Sequence, residues 1–260
     1  MSFLGPVGSL IPVKCASQLT SSGGRSVSFQ DTLGKRKAFL GNVRAREWDV
    51  EIGLATPGEL SGLQWLAENV NSPMVWYSPD AVVGNILPPA QAAFTPDVHN
   101  GLEGPLVEVE PGIVVKSAFP SASFVAFPRS GGEREPIPVV SETPVSASVW
   151  TRGSGGQLSL TWWDASGNSV SQEHSATVSG STFQRVSLTA VPPSTAVGAT
   201  LSLRGEQVAG PAVTLTDRLM PYSPGRGAHR VVAHGLADAV IRATENQQYQ
   251  SLSFTVSEVG

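Results

Sequence analysis

A chain of 260 residues has room for two ordinary domains, and its net charge of −4, with only 15% charged residues, argues against nucleic acid as a partner. The 27 glycines and 20 prolines favour short strands joined by turns, so a mainly β protein is expected. No apolar run is long enough to cross a bilayer and no basic lead precedes one, so we expect neither membrane insertion nor a signal peptide. The chain has one cysteine, Cys15, so it forms no internal disulfide. Cys15 is then either a buried structural thiol or a nucleophile.

A strand and a helix are the first clear elements along the chain. Residues 46–54 (REWDVEIGL) alternate apolar and polar side chains, which predicts a strand with one core face and one wet face. Thr56 and Glu59 have the spacing of a capping box, and apolar residues at helical spacing follow them. We predict a helix over about 57–70 that packs on the sheet, and then a short strand at 74–77.

Between residues 81 and 144 the pattern loosens, because prolines recur throughout. Proline lacks the N–H that a central strand donates, so this stretch favours edge strands and connections. We predict strands at 112–117 and 122–127 within it, and a domain boundary at roughly 92–104.

Strand patterns are continuous from residue 143 to about residue 219. Alternating runs separated by turn residues are typical of an antiparallel β-sandwich. The runs are residues 145–152, 157–163, 169–178, 183–191 and 197–204. The stretch 158–170 (LSLTWWDASGNSV) predicts a hairpin, because residues 164–168 tolerate left-handed backbone or bond their own main chain.

Further strand patterns follow a second linker near residue 224. They are residues 230–233 with 239–242, and residues 249–256. The strands and helix at the front and the strands at the back are each too few to bury a core alone. We therefore predict a split β domain, residues 1–95 and 225–260, with an antiparallel β-sandwich of the jelly-roll type, residues 104–222, inserted in it.

Residues that carry chemistry are present without the spacing that chemistry requires. The histidines, which show no metal-ligand spacing, are His99, His174, His229 and His234. No phosphate-binding loop or nucleophile elbow occurs, so we expect no catalytic residues, no metal and no cofactor. Carboxylates that a glycosidase could pair, but that also suit turns and surfaces, are Glu133, Glu135, Glu142, Asp164 and Glu173. Oxygen ligands for a structural calcium ion would be Asp164, Asn168 and Asp217, although turn roles explain the first two.

Tryptophan on the wet side of two predicted strands is unusual. Period two places Trp150 on the face of Ser148, and Trp163 on the face of Thr161. A flat indole that faces water can stack on the C–H face of a sugar ring, which makes Trp150 and Trp163 candidate glycan-binding residues. The alternative is that residues 105–140 cover this face and that both rings belong to the core.

Short motifs at the front, middle and back of the chain form a set. The front holds REWDVEIG, TPGEL and MVWYSPDAVVGNILPP, in which Ser78-Pro79-Asp80 stands for an aromatic-Asp-Pro turn and Asn85-Ile86-Leu87 for Asn-Leu-Leu. The middle holds LSLTWWDASGN, and the back holds GAHRVVAHGL and SLSFTVSEVG. The set resembles a family of minor tail proteins of siphophages that infect actinobacteria, in which carbohydrate-binding jelly rolls are often inserted.

The resemblance implies a tail-tube-like or distal-tail-like β domain that forms a ring round the tail axis and displays the jelly roll. Its partners would be other copies of the chain, neighbouring tail-tube and tail-tip proteins, and host cell-wall polysaccharide, unless the jelly roll only braces the tip. The protein would be made in the host cytoplasm and located in the virion. The alternative is a virion-associated glycan hydrolase, which would need a carboxylate pair or a metal centre.

Overall fold

The computed structural model describes most of the chain in eight stretches. They are residues 2–13, 18–32, 35–69, 74–94, 103–120, 125–126, 136–243 and 248–259. The strands and helices are β1 (Ser2–Gly5), β2 (Ile11–Val13), β3 (Gln18–Thr32), β4 (Lys35–Ala55), α1 (Pro57–Asn69), β5 (Met74–Tyr77), α2 (Pro79–Val83), α3 (Pro89–Ala92), β6 (Glu103–Glu110), β7 (Ile113–Ala118), β8 (Val125–Ala126), β9 (Ile137–Pro138), β10 (Val145–Trp163), β11 (Ser169–His174), β12 (Val178–Ala190), β13 (Gly198–Arg204), β14 (Gln207–Thr214), β15 (Ala228–Ala243) and β16 (Gln248–Glu258). The protein is mainly β and antiparallel, as the composition predicts.

The chain divides into two compact units. The platform unit consists of Leu4–Pro6, Ile11–Trp76 and His229–Gly260. The sandwich unit consists of Met1–Phe3, Val7–Leu10 and Tyr77–Ala228.

The platform unit is built on a seven-stranded sheet to which both ends of the chain contribute. The strand order is β2-β1-β5-β15-β16-β4-β3, so β15 and β16 lie between strands from the front of the chain. β16 pairs antiparallel with β15 and with β4, and β4 forms a long hairpin with β3. Front and back strands that are too few by themselves thus complete one sheet.

Alternation along β4 and β16 decides which face of this sheet is core. Trp48, Val50 and Ile52 are at most 5% exposed, whereas the acidic residues between them face solvent. Across the ladder Val50 pairs with Phe254 and Ile52 with Leu252, so the two strands share one buried apolar surface. The predicted strand is confirmed as the last part of β4.

Helix α1 begins where the sequence predicts it. Thr56 N and Thr56 Oγ1 each donate to Glu59 Oε2 at 2.9 Å, and Glu59 N donates to Thr56 Oγ1 at 3.4 Å. This reciprocal capping box satisfies N–H groups that the first turn of a helix leaves without partners. Leu63 and Leu66 are at most 5% exposed and α1 contacts β16, so the helix buries its apolar face on the sheet.

One long strand, β10, organises the sandwich unit because it belongs to two sheets. Its first part pairs with β12 and β14, and its second part pairs with β11 and β13. The strand bends at a corner where Gly153 (φ 94°) and Gly155 (φ 66°) adopt left-handed backbone. Glu206 Oε1 accepts from Ser154 N at 3.0 Å and from Ser154 Oγ at 2.6 Å, which holds the corner. The two strands that the sequence predicts here are one bent strand.

The inner face of both parts of β10 is fully buried. The residues with 0% exposure on it are Val145, Ala147, Val149, Leu158, Leu160 and Trp162. β6 and β7 extend the first sheet beyond β14, while β8 and β9 pair with β13 in the second. The sandwich unit therefore has a continuous core that β10 lines from end to end.

Asn85 connects three segments inside the sandwich unit. It is 0% exposed, and its side-chain amide donates to the carbonyl oxygens of Pro211 and Ser223 at 3.1 and 3.2 Å. Its Oδ1 accepts from the N–H groups of Leu87 and Val213, both at 3.1 Å. The buried amide thus has a partner for each of its hydrogen-bonding groups.

Two predicted boundaries differ from the structure, and a third lies partly outside the described residues. Residues 77–94 belong to the sandwich unit, so the two units meet in sequence at Trp76 and not at 92–104. The strand predicted at 169–178 ends at His174, and the next strand, β12, begins at Val178. Of the strand predicted at 122–127, only β8 lies within the described residues.

Candidate functional site

Trp150 lies in a buried layer of the sandwich unit. Its side chain is 1% exposed and packs with Val109, Val115 and Ala209. Val109 is on β6 and Val115 is on β7, so residues from the 105–140 segment cover it. The prediction that Trp150 faces water is wrong, because the β6–β7 hairpin closes over that face of β10.

The buried indole of Trp150 has polar and aromatic partners. Its Nε1 donates to Glu110 Oε1 at 3.0 Å, and Tyr222 meets the ring edge-on at a centroid distance of 5.2 Å. The guanidinium carbon of Arg185 lies 4.8 Å from the ring centroid, a cation–π contact. Burial lowers the pKa of Arg185, and the carboxylate of Glu110 opposes this shift. Burial also raises the pKa of Tyr222. At 1% exposure the indole offers no open face to a sugar.

The cover agrees with the alternative considered for Trp150, but sequence reasoning did not predict the β6–β7 hairpin that forms it. Val107 and Val109 alternate with glutamates along β6, and Gly112 (φ 80°) forms the turn into β7. Glu108 Oε1 accepts from the N–H of Gly112 at 2.9 Å and closes that turn. Alternating valines before a Pro-Gly pair are a signal that could have located this hairpin, although not its place over Trp150.

Trp163 is partly exposed on the outer face of the second sheet. Its Nε1 donates to Thr200 Oγ1 at 2.8 Å, which fixes the indole against β13. Thr161 is half-buried on the same face, and Gln172 of β11 is exposed opposite it. Stacking of a glycan on Trp163 stays a prediction.

The rest of this outer face is polar and mostly buried. Ser159 is 0% exposed, and Thr200 and Ser202 are each 8% exposed. Among the described residues of the face, the accessible ones include Gln157, Thr161, Trp163, Gln172, His174 and Arg204. This set offers one indole and a few hydrogen-bonding groups, which suits a shallow contact with one or two sugar rings.

Asp164 closes the turn that follows Trp163. Its Oδ1 accepts from the N–H groups of Ser166 and Asn168 at 2.9 and 2.8 Å, and its Oδ2 accepts from Asn168 Nδ2 at 3.2 Å. The hydrogen bonds from Asn168, and then those from Ser166 and Gly167, lower the pKa of Asp164. Turn closure therefore explains Asp164 and Asn168, two of the three residues considered as calcium ligands, and the third, Asp217, is exposed. Within the described stretches, no group of three or more His, Cys, Asp or Glu side chains could hold a metal ion.

The other residues singled out in the sequence have separate roles. Glu173 Oε1 accepts from Trp162 Nε1 at 3.3 Å, and Glu142 is an exposed turn residue with φ 62°. His234 Nε2 lies 2.9 Å from Ser257 Oγ on the platform sheet. Outside the described residues lie Cys15, His99, Glu133, Glu135 and the side chain of His229.

A row of carboxylates lies on the exposed face of the platform sheet. This acidic row consists of Glu47, Asp49 and Glu51, at alternate positions of β4. β16 places hydroxyl residues opposite it, with Ser257 facing Glu47, Thr255 facing Asp49 and Ser253 facing Glu51. Thr255 Oγ1 donates to Asp49 Oδ1 at 2.9 Å, and Ser257 Oγ donates to Glu47 Oε1 at 3.4 Å.

A shallow groove accompanies the acidic row. It is lined by Asp49, Val50, Glu51, Gly235, Ser253, Phe254 and Thr255. Gly235 (φ 68°) lies where the β15–β16 register shifts between His234 and Ala237. A side chain at Gly235 would meet no atom within 4 Å, so the groove is open at this bulge.

The platform sheet ends in two unlike edges. β3 is 15 residues long and, among the described strands, pairs only with β4. The strand at the opposite edge, β2, is 3 residues long. The long edge therefore presents main-chain N–H and C=O groups to which a further strand can bond.

Comparison with known proteins gives weak likenesses. No protein-family model matches the chain, and no curated protein matches it in sequence. The Clostridium thermocellum xylanase 10B CBM22-1–GH10 modules share 20% identity at a TM-score of 0.29, covering 41% of this chain and 23% of that one. Tailspike protein 4 of bacteriophage CBA120 shares 14% identity at a TM-score of 0.33, covering 50% of this chain and 21% of that one.

The Dit protein of phage SPP1, described as a hub of the adsorption apparatus, is also similar. It shares 10% identity at a TM-score of 0.20, covering 83% of this chain and all of that one (100%). The chain spans less than a quarter of the xylanase and tailspike chains, at 23% and 21%. TM-scores of 0.20 to 0.33 are too low to argue for a shared fold or function. Among the described helices, none combines the length and the apolar character that a membrane span requires.

Proposed function

We propose that this chain is a non-enzymatic structural protein of a phage tail tip, a minor or distal tail protein that self-associates round the tail axis. The observation that carries the proposal is the open edge of the platform sheet at β3. The motifs that resemble siphophage minor tail proteins support it, since REWDVEIG lies on β4 and the first eight residues of SLSFTVSEVG lie on β16. Both strands belong to the sheet that bears this edge.

The open edge gives a physical route to assembly. At about 3.3 Å per residue, β3 offers roughly 50 Å of strand to a neighbour. Because the two edges differ in length, 15 residues against 3, a contact at the β3 edge need not use the same surface on both partners. Contacts between unlike surfaces close into a ring when the rotation between copies allows.

Proline variants of β3 test edge pairing. Neighbouring residues of a strand direct their N–H groups to opposite sides. Proline has no N–H, so one of the two variants Ser28→Pro and Phe29→Pro loses a hydrogen bond to β4. The other variant loses an N–H that points away from β4. The outward variant should lower the mass of the protein in solution by light scattering while its circular dichroism is unchanged. If both variants stay folded and keep the native mass, or if the unaltered chain is a monomer, edge pairing is excluded.

We also propose that Trp163 of the sandwich unit contacts host cell-wall glycan. One stacked ring contributes about 1–3 kcal/mol by analogy with other ring ligands, which is weak for a single copy. A ring of copies raises the effective concentration of such sites and so increases the overall affinity.

Sedimentation with purified cell walls tests the glycan contact. Trp163→Ala should reduce the bound fraction at least fivefold, whereas Trp65→Ala, which removes a 51% exposed indole in the platform unit, should not. Equal binding by the two variants would contradict a role for Trp163.

Location in the particle tests the tail-tip assignment directly. Gold-labelled antibody against the protein should decorate the tail end of virions in electron micrographs. Labelling of the capsid, or particles that lack the protein, would contradict the assignment.

A further inference from the structure

The outer face of the second sheet of the sandwich unit continues beyond Trp163 to a cationic end. Along β10 this face runs from Trp163 through Ser159 to Gln157, because alternate residues of a strand share a face. Arg204 of β13 is paired with Gln157, so its side chain belongs to the same face. The outer face therefore has an indole near one end and a guanidinium at the other.

Arg204 has hydrogen-bond donors that the chain does not use. It is exposed, and within the described part of the chain its guanidinium has no hydrogen-bond or ion-pair partner. Two other arginines of the sandwich unit do have such partners. Arg152 donates to Gln207 Oε1. Arg185 donates to the carbonyl oxygen of Met220 at 2.7 Å. Since a guanidinium can bind a carboxylate or a phosphate through two parallel hydrogen bonds, Arg204 is available to an anion from outside the chain.

No carboxylate on the described part of this face competes for the guanidinium. None of the residues that β10, β11 and β13 contribute to the face in their described ladders is acidic. Glu173 of β11 points the other way and accepts from the buried Trp162. Glu206 accepts from Ser154 at the corner of β10, and Asp164 closes its own turn. The face thus carries a positive charge without a negative one beside it, in a chain whose net charge is −4.

The indole and the guanidinium are spaced so that one glycan chain can contact both. Residues 157 to 163 of β10 pair with β13 without a register shift, so the sheet is regular over this run. At about 3.3 Å per residue, the two ends of the run are roughly 20 Å apart. An extended glycan of several rings covers this distance. A ring stacked on Trp163 therefore leaves a later ring of the same chain beside Arg204.

We propose that the glycan bound at this outer face is acidic and that Arg204 binds its carboxylate or phosphate groups. The inference rests on the proposed contact of Trp163 with cell-wall glycan and names the chemical class of that glycan. Stacking on an indole selects weakly among sugars, because many of them have an apolar C–H face. A guanidinium at a fixed distance adds selection, since a neutral chain makes only the stacking contact and an acidic chain makes both. The second contact joins exposed charges, so it weakens as salt rises.

Charge removal at Arg204 tests this inference in the sedimentation assay with purified cell walls. Arg204→Gln keeps a side chain that forms hydrogen bonds but removes the charge, and it should reduce the bound fraction at least threefold at low salt. The matched control is Arg218→Gln, which makes the same change in net charge at an exposed position after β14. The control should bind like the unaltered chain, and circular dichroism should show that both variants are folded. At about 0.5 M salt the unaltered chain should bind no better than Arg204→Gln.

Chemical treatment of the walls identifies the acidic group. Amidation neutralises carboxylates, whereas cold hydrofluoric acid removes polymers that are attached through phosphodiesters. One of the two treatments should lower binding of the unaltered chain to the level of Arg204→Gln and leave the binding of that variant unchanged. If neither treatment does so, the ligand of Arg204 is not an acidic glycan.

The outcomes distinguish this inference from the proposed function. If Trp163→Ala binds walls as well as Trp65→Ala does, the glycan contact fails and this inference fails with it. If Trp163→Ala loses binding and Arg204→Gln does not, the contact stands and its glycan is neutral. Equal losses in Arg204→Gln and Arg218→Gln would also overturn the inference, because the net charge of the protein would then explain them.

Discussion

The two units handle polar residues in opposite ways. In the sandwich unit, Asn85 and Gln207 are at most 3% exposed and make hydrogen bonds inside the unit. In the platform unit, the acidic row is exposed and the longest edge strand has one described partner. Buried polar groups require partners in the same chain, whereas exposed charges and open edges can take theirs from another. The sandwich unit thus satisfies its buried polar groups internally, whereas the platform unit leaves charges and main-chain groups of an edge strand at its surface.

The largest effect should come from the buried tryptophan of the sandwich unit. Trp150→Ala should lower the free energy of unfolding of this unit by about 3–5 kcal/mol, because it opens a cavity under the β6–β7 hairpin and leaves Glu110 without its indole partner. Trp163→Ala, its matched control, should cost about 1 kcal/mol for one lost hydrogen bond and some packing. Unfolding in guanidinium, followed by circular dichroism, measures the free energy of unfolding of both variants. Equal losses would show that the two indoles contribute equally to stability.

Removing the buried amide should have the next largest effect. Asn85→Ala leaves two carbonyl and two N–H groups without their side-chain partner, at a cost of about 2–3 kcal/mol. Asn168→Ala, in an exposed turn, should cost less than half as much. A smaller loss for Asn85→Ala than for Asn168→Ala would contradict the view that the sandwich unit depends on internal polar contacts.

In the platform unit the helix cap should have a moderate effect. Thr56→Ala removes the side-chain part of the capping box and should lower stability by about 1 kcal/mol. Ser61→Ala, at an exposed position inside α1, should be neutral or slightly stabilising. Urea midpoints of the platform transition measure the difference, and a destabilising Ser61→Ala would show that the loss does not arise from the cap.

The smallest effect should be the titration of Asp164. Its pKa is lowered in the folded protein, so its hydrogen bonds stabilise the turn above the ordinary value of 3.8 and are lost as the pH falls through the lower folded value. Asp164→Asn should flatten this acid limb, because it lowers stability at neutral pH and leaves stability below the folded pKa little changed. Thermal unfolding midpoints of both proteins between pH 2 and pH 7 measure this difference. If the acid limb of Asp164→Asn is the same as that of the unaltered chain, other carboxylates cause the pH dependence.

Periodicity in the sequence predicted the elements whose two faces differ. Trp48, Val50 and Ile52 alternate with carboxylates, and Thr56 precedes Glu59 by three residues, so β4 and α1 could be located from local pattern alone. The cover of Trp150 could not be found in this way. Period two shows which residues share a face of β10, but another hairpin decides whether that face is wet.

The two strands predicted on either side of the glycine corner show the same limit. Local pattern detects the break at Gly153, because left-handed backbone interrupts alternation. It does not reveal that the chain continues as one strand into the other sheet, since that depends on Glu206 from a distant turn. Long-range partners of this kind are what a single sequence leaves undetermined.

The strand order of the platform sheet has a consequence for synthesis. β15 and β16 lie between β5 and β4, so this sheet stays incomplete until the ribosome has released β16. By that time every residue of the sandwich unit has been translated, and domains fold as units from the N-terminal side. The exposed acidic row and the β3 edge therefore belong to the part of the chain that is completed last during synthesis.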